Sequence, residues 1–254
     1  MKLISLNTWG GRAGKEQLLA FFDRHRNADI FCLQEIWSAP YDTLDGQHAG
    51  GRPLDQSSVM VYGLQEISAL LPDHQPYFRP HYLNDYGLLT LVKKGVEVTE
   101  EGDVFVYKER GHIPPGDVGH HARNIQFATF NTKNGPQTII NFHGLWNGQG
   151  KGDSADRFKQ SENILAFAKT LTNPYILCGD FNLLPETESL QMFEAAGLRN
   201  LITKYGITST RTSHYTKPER FADYVFVSDG VEVKDFQVLP DEVSDHSPMY
   251  LEFE

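Results

Sequence analysis

Apolar residues in this chain gather in short, nearly continuous runs that end in an acid or an amide. The clearest run is residues 175–182. Tyr175, Ile176, Leu177 and Cys178 are unbroken, Gly179 interrupts them, and Asp180 and Asn182 follow at once. An apolar run closed by a turn residue predicts a buried strand. If strand geometry persists past Gly179, alternation puts Asp180 and Asn182 on one side. Residues 3–9 predict a strand with Asn7 near its end, and residues 29–35 a second that ends in Glu35. Between them, Leu18, Leu19, Phe21 and Phe22 have helical spacing over residues 17–25, so the chain opens like a βαβ unit.

The same reading continues along the chain. Residues 38–56 have no period and predict a surface loop, and a long irregular loop beside a strand end is often functional. An amphipathic helix is expected over 58–71, closed by Pro72. Strands are expected at 87–95, 96–107, 123–131 and 137–143, with Asn134-Gly135 as a hairpin signal between the last two. Residues 108–121 form a second irregular, Gly/Pro-rich loop. A short Gly-rich loop at 148–153 leads into a helix at about 156–171, and another helix runs from Pro185 to near Gly197. Residues 199–220 read mostly as loop, followed by strands at 221–228, 231–238 and 249–253. Strands outnumber helices and do not alternate with them regularly. That predicts a single domain over 1–254 with two packed sheets and outer helices, rather than a doubly wound parallel sheet.

Composition narrows the class. With 40% hydrophobic and 22% charged residues, a soluble globular protein is expected, and no apolar run approaches a membrane span. The apolar part of the N-terminus is too short for a signal peptide. Cys32 and Cys178 both sit inside strand-like runs, which favours buried reduced thiols over a disulfide and a cytoplasmic location. The net charge of −10 and the lack of any basic run disfavour a tight, processive nucleic-acid binder. They leave room for a nucleic-acid substrate, because local cations or a bound metal can make a positive cleft in an acidic protein.

Polar residues cluster at the strand ends: Asn7; Glu35; His143; Asp180 with Asn182; and Asp223 with Asp245 and His246. Each has an ordinary structural reading as a turn residue, a surface acid, a satisfied core histidine or a capped turn. Asp223 is the hardest to dismiss, since a carboxylate inside an apolar strand is costly without a partner. All of them together at ends of apolar strands favour one shared site. The carboxylate and amide oxygens form a hard donor set, suited to Mg²⁺ or Mn²⁺ and poorly to zinc.

The ordered set Leu-Asn7-Thr-Trp, Gln34-Glu35, Asn-Phe-His143, Gly-Asp180-Phe-Asn182, Asp223-Tyr and Ser-Asp245-His246-Ser-Pro resembles the endonuclease/exonuclease/phosphatase superfamily, and the resemblance implies its deoxyribonuclease-I-like α+β fold, a four-layer α/β/β/α sandwich of two packed mixed sheets with outer helices. The resemblance spans Asn7 to Pro248. It implies divalent-metal-dependent hydrolysis of a phosphoester by an activated water, in a nuclease, other phosphodiesterase or phosphatase. It implies Glu35 as the main Mg²⁺ (or Mn²⁺) ligand with Asn7 beside it. Asp180, Asn182 and Asp245 would position the water and any second metal. His246 paired with Asp223 would be the base or phosphate-binding histidine, and His143 would serve the leaving oxygen. Arg123, and Arg157 with Gln160 on the helix after His143, match further positions of the family, and Arg123 and Arg157 would bind substrate. No nucleophile motif is present, in keeping with direct attack by water.

Within the superfamily, apurinic-site endonucleases carry Tyr where this chain has His143 and an acid where it has Trp9. Inositol 5-phosphatases carry a different run around the position of Asp223. Both branches are therefore disfavoured. The expected substrate is a phosphoester, from a nucleic acid, a phospholipid headgroup or a small phosphorylated metabolite, acted on by a monomer. A catalytically silent scaffold of the same fold is the rival reading. The loops at 38–56 and 108–121 are expected to set specificity, with His112, His120 and His121 read as solvated.

Overall fold

The computed structural model describes residues 1–44 and 46–254; Asp45, within the expected 38–56 loop, lies outside the described residues. In chain order the elements are β1 (Lys2–Asn7), α1 (Lys15–Arg24), β2 (Ile30–Trp37), the short hairpin β3 (His48–Ala49) and β4 (Arg52–Pro53), α2 (Gly63–Leu70), β5 (His74–Tyr82) and β6 (Tyr86–Lys93). Then come β7 (Val98–Tyr107), β8 (Arg123–Thr132), β9 (Gly135–His143), α3 (Ala155–Ala168), β10 (Tyr175–Asp180) and α4 (Glu188–Ala195). The chain ends with β11 (Arg199–Asn200), α5 (Leu201–Lys204), β12 (Asp223–Val227), β13 (Val233–Val238) and β14 (Met249–Phe253).

Two six-stranded sheets carry the structure, in the orders β13-β14-β1-β2-β6-β5 and β11-β12-β10-β9-β8-β7. Both are mixed. In the first, β1 runs parallel to β2 across the α1 crossover, which is the expected βαβ opening. In the second, β9 and β10 are parallel and the other pairs antiparallel. The central strands are buried on both faces, which explains why they read as continuous apolar runs. Alternation divides them. Leu3, Ile30 and Cys32 face the second sheet and join its core with Phe142, Leu177 and Phe181. Ile4, Leu6, Phe31 and Leu33 point the other way, onto Leu18, Phe21 and Phe22 of α1 and Ile67 of α2. Cys32 and Cys178 are buried free thiols.

Polar pairs cross the sandwich within this apolar setting. Gln34 Nε2 donates to Asn141 Oδ1 (2.7 Å), and Thr90 Oγ1 donates to Gln126 Oε1 (2.9 Å). Buried amides that must meet their partners fix how one sheet sits on the other.

Three local expectations need correction. A whole strand, β5, lies where none was expected. Its sequence carries Pro76 and Pro80, which lack a donor, and it is an edge strand paired only with β6, where prolines are tolerated. The helix expected over 58–71 begins only at Gly63, after a 3-10 turn at Gln56–Ser58. The stretch 199–220 contains β11 and α5, in which Asn200 caps the helix by accepting from the Ile202 amide. No helix among the described residues is long and apolar enough to cross a membrane.

Candidate active site

Sheet register brings the polar strand ends together. In the second sheet Asp180 lies beside His143 on the parallel side and beside Asp223 on the antiparallel side. The first sheet contributes Asn7 at the end of β1 and Glu35 from β2. Strand β2 does not stop at Glu35 as expected but runs on to Trp37. Leu33 pairs with Leu89 and Ile36 with Gly87, so β2 holds one extra residue there, and Glu35 has φ 59°. This is a β-bulge, which turns a side chain out of the pleat, and Glu35 lines the pocket because of it. Ser244 Oγ donates to the Asn7 carbonyl (2.7 Å), tying the Asp245-His246 segment to the end of β1.

The pocket so formed has a volume of about 390 Å³. Beneath its floor, and not lining it, Asn7 Nδ2 donates to Glu35 Oε1 (3.1 Å) and to Asp180 Oδ2 (2.9 Å), while Asn7 Oδ1 accepts from the Trp9 amide (2.9 Å). Asn7 thus holds two carboxylates side by side. Burial raises the Glu35 carboxyl above the ordinary glutamate range; Arg12 opposes this, with Nη1 at 3.8 Å, and Asp245 adds to it. Asp180 shifts downward: burial pushes it up, but His246, Lys151, Arg211 and the Asn182 amide, which donates to Oδ1 at 2.8 Å, outweigh that.

The two histidines are driven apart. His246 Nδ1 lies 2.8 Å from both oxygens of Asp223, and its Nε2 lies 3.6 Å from Asp180 Oδ2 and from Asp245 Oδ1. Burial and Arg211 oppose its charge, yet Asp223, Asp245 and Asp180 together raise it. His143 is pushed well down by burial and by Arg123, whose Nη1 donates to His143 Nδ1 (3.1 Å). A neutral ring that accepts at Nδ1 carries its proton on Nε2. That N–H faces Asp180 Oδ2 (3.7 Å) and Glu35 Oε1 (3.9 Å).

Asp180, Asp223 and His246 have ligand atoms within 4.8 Å of one another. Because Asp223 spends both oxygens on His246, the trio fits a hydrogen-bonded acid–histidine–acid chain better than a metal cage. The carboxylates that line the pocket, among the described residues, are instead Glu35, Asp180 and Asp245. All three supply hard oxygens, and Asp245 Oδ1 is buried without a hydrogen-bond partner among the described residues.

Not every expected residue faces this space. Arg123 does. Arg157, expected to contact substrate, is buried beneath the 145–152 loop. Its guanidinium donates to the carbonyls of Gly152, Gly150 (2.7 Å) and Leu145 (3.4 Å), and it does not line the pocket. Gln160 Oε1 supports the same loop by accepting from the Leu145 amide (3.0 Å). Asn182 lies beyond the end of β10 with φ 54°, and its Oδ1 accepts from Lys151 Nζ (3.3 Å). His121, expected to be solvated, is buried and stacks between His81 (5.0 Å) and Tyr82 (4.8 Å). His112 and His120 are partly exposed.

Five cations that the sequence did not single out as site residues also line the pocket: Arg12, Arg52, Lys151, Arg211 and Lys217. Arg211 Nη1 donates to Asp245 Oδ2 (3.2 Å). Lys151 is nearly fully buried and, through desolvation and the nearby Arg211, is lowered to about 8. Both it and Arg211 sit in aperiodic loops, where only the adjacent glycines and aromatics hinted at function.

Two stacked mixed sheets thus enclose an acid–histidine pocket built from the ends of their central strands and the adjoining loops. The sequence profile of the Endonuclease/Exonuclease/phosphatase family matches residues 4–246, and the chain belongs to that family. No curated protein sequence matches it significantly. Among solved structures, it is similar to a mannosyl-6-phosphatase of Bacteroides thetaiotaomicron VPI-5482, with 20% identity, TM-score 0.74 and coverage of 100% of this chain and 99% of that one. It is also similar to the human Nocturnin catalytic domain with bound sulfate, with 16% identity, TM-score 0.66 and coverage of 100% and 93%. A 2′,3′-cyclic phosphatase matches with 13% identity, TM-score 0.69 and coverage of 99% and 94%. At these identities the likeness is one of fold.

Proposed function

We propose that this protein hydrolyses a phosphoester by direct attack of water, with Mg²⁺ or Mn²⁺ held by Glu35, Asp180 and Asp245. Such an ion would supply positive charge where negative charge grows on the phosphate. The protein's own groups do the rest. Asp180, kept ionised and held by Asn7 and Asn182, orients the water and accepts its proton. His246, held by Asp223 in the tautomer with Nε2–H facing the pocket, hydrogen-bonds a phosphoryl oxygen as charge grows on it. His143, kept neutral by Arg123, offers its Nε2–H to the leaving oxygen. Arg123, Arg211 and Lys151 complete the charge around the phosphate.

The observation that carries this reading is the convergence of both histidines on one carboxylate: His143 Nε2 lies 3.7 Å and His246 Nε2 3.6 Å from Asp180 Oδ2, with His246 held from behind by Asp223 at 2.8 Å. The names of the phosphatases with the same fold support the reaction class, and family membership supports the metal. The test is hydrolysis of p-nitrophenyl phosphate and bis-p-nitrophenyl phosphate with Mg²⁺ or Mn²⁺, before and after chelation, for the wild type and for Asp180→Ala and His246→Ala. Metal-dependent turnover lost in both variants is expected. A well-folded wild type that hydrolyses neither ester with either metal leaves only the scaffold reading.

A further inference from the structure

The charge of the pocket exceeds what one phosphate can use. Among the described residues, six Lys or Arg side chains line it (Arg12, Arg52, Arg123, Lys151, Arg211 and Lys217), against three carboxylates, Glu35, Asp180 and Asp245. This surplus stands on a chain of net charge −10. The carboxylates are all at the floor. There Arg12 faces Glu35 and Arg211 faces Asp245, and a divalent ion would add two more positive charges. One phosphate dianion at the floor leaves the excess unmatched, and it is concentrated at the rim. Arg52 and Lys217 are exposed there, and neither has an acidic partner among the described residues.

The rim cations are arranged on an aromatic frame. Lys217 Nζ lies 4.9 Å from the centre of the Trp146 ring, Lys151 Nζ lies 5.8 Å from Trp146 and 5.6 Å from Tyr215, and Arg211 Cζ lies 4.0 Å from Tyr215. Cations over ring faces are held in place with their N–H groups free for an anion. Arg52 joins the same lip through its hairpin. Two residues before it, Gly50 packs against Trp146 so closely that a Cβ would collide with the indole.

That hairpin also limits the size of the substrate. Asp117 accepts from the backbone amides of Gly50 (2.6 Å), Gly51 (2.7 Å) and Gly119 (2.8 Å), which anchors β3–β4 to the 118–120 turn on one side. Gly50 meets Trp146 and Gly148 on the other side. The hairpin therefore bridges one end of the cleft, where a polymer strand passing through would need open space. The remaining 390 Å³ suits a ligand of metabolite size. Apolar residues including Leu44, Pro53, Leu54 and Tyr82 provide a wall for its organic part.

We propose that the substrate is a compact organic bisphosphate: one phosphate is hydrolysed at the Asp180–His246 floor, and the other is held at the rim by Arg52 and Lys217 around Trp146. This rests on the hydrolase reading for its floor, but the rim is an anion site in its own right. Hydrolysis adds water across the scissile P–O bond, releasing inorganic phosphate and leaving the rim phosphate on the product.

Two substrate pairs test it: fructose 1,6-bisphosphate against fructose 6-phosphate, and adenosine 3′,5′-bisphosphate against adenosine 3′-phosphate. They distinguish a sugar from a nucleoside source. A charge-assisted contact is worth about tenfold in affinity. The wild type is therefore expected to prefer the bisphosphate of at least one pair by about tenfold or more in kcat/KM, mostly through KM. In Lys217→Met and Arg52→Met that preference falls by about tenfold each, and added salt erodes it in the wild type. Equal kcat/KM for bisphosphate and monophosphate in both pairs overturns the proposal. So does internal cleavage of a single-stranded oligonucleotide faster than either bisphosphate. If no ester is hydrolysed, the hydrolase reading fails, and binding followed by tryptophan fluorescence decides the rim separately. Tighter binding of a bisphosphate, weakened in Lys217→Met, sustains the site; no difference between bisphosphate and monophosphate refutes it.

Discussion

Replacing Arg157 by Met separates two roles for this arginine, substrate contact and structural strut. The structure favours the strut. The guanidinium is buried and serves three carbonyls, those of Leu145, Gly150 and Gly152, and these belong to the loop that carries Trp146 and Lys151. Met matches the length and apolar stem of Arg but donates nothing. A buried carbonyl left without a donor costs about 1–3 kcal/mol. Partial access of water to a surface loop and relief from burying the charge reduce that cost, so about 2–3 kcal/mol in total is expected. In a chain of this size each kcal/mol moves Tm by about 2–4 °C, which gives a drop of about 5–10 °C. Thermal unfolding followed by circular dichroism measures it, alongside steady-state kinetics. Because Lys151 and Trp146 ride on the loop, KM is expected to rise as well. A Tm within about 2 °C of the wild type, together with a large loss of kcat/KM, refutes the strut and restores Arg157 as a substrate contact.

Other outcomes follow from the same geometry. Asp223→Asn removes the acceptor that fixes His246, and kcat is expected to fall by about 10³–10⁴-fold, as for other acid-oriented histidines, with Tm little changed; steady-state kinetics and a melting curve check both. Chelation of divalent ions should abolish turnover, with recovery by Mg²⁺ or Mn²⁺ and poor recovery by Zn²⁺, read by p-nitrophenol release. Lys151 loses its charge near pH 8 rather than near its ordinary value. It is therefore cationic below about 8, and KM for an anionic substrate should rise as pH increases through that value. In Lys151→Arg this rise should vanish, because guanidinium stays charged throughout. Phe181→Ala removes a fully buried ring that packs edge-on against Phe142, Phe193 and Tyr224; a loss of about 3–5 kcal/mol is expected by urea unfolding.

What the sequence discloses depends on whether a residue's surroundings are local. The central strands were legible because burial on both faces leaves continuous apolar runs, as in residues 175–178 and 30–33. Asn7, His143 and Asp180 were legible as polar groups placed where such runs end, whereas Glu35 sits at a bulge inside β2 and Asp223 opens β12. Strand β5 was not, since its two prolines and few aliphatics mimic a loop, and only its place at a sheet edge makes it a strand. Arg157 and His121 sit elsewhere than their sequence context suggests for a shared reason. A cation or imidazole near a site motif looks functional or solvated until the carbonyls of residues 145–152, or the rings of His81 and Tyr82, are seen to claim it. Arg12, Lys151 and Arg211 lie in aperiodic segments, and only the folded loops bring them to the pocket.

Backbone strain marks the same place. Five non-glycine residues among those described have positive φ, and three of them, Trp9, Glu35 and Asn182, line the pocket. Such conformations cost about 1–3 kcal/mol each and persist where the surrounding structure imposes them. At Glu35 the cost is doubled in kind. The bulge holds a β-carbon in the left-handed region, and burial beside Asp245 raises the carboxyl. Ionised Glu35 therefore weakens the metal-free fold above the ordinary glutamate range, and the penalty fades as pH falls and the carboxyl takes up a proton. Glu35→Gly removes both burdens, since glycine accepts positive φ freely. The variant is expected to be more stable than the metal-free wild type by about 1 kcal/mol or more at neutral pH, and to lose the stabilisation that added Mn²⁺ gives the wild type. Urea unfolding with and without Mn²⁺ reads both effects. A destabilised variant, or one that Mn²⁺ still stabilises as strongly as the wild type, removes Glu35 from the metal position and leaves the bulge without a functional reason.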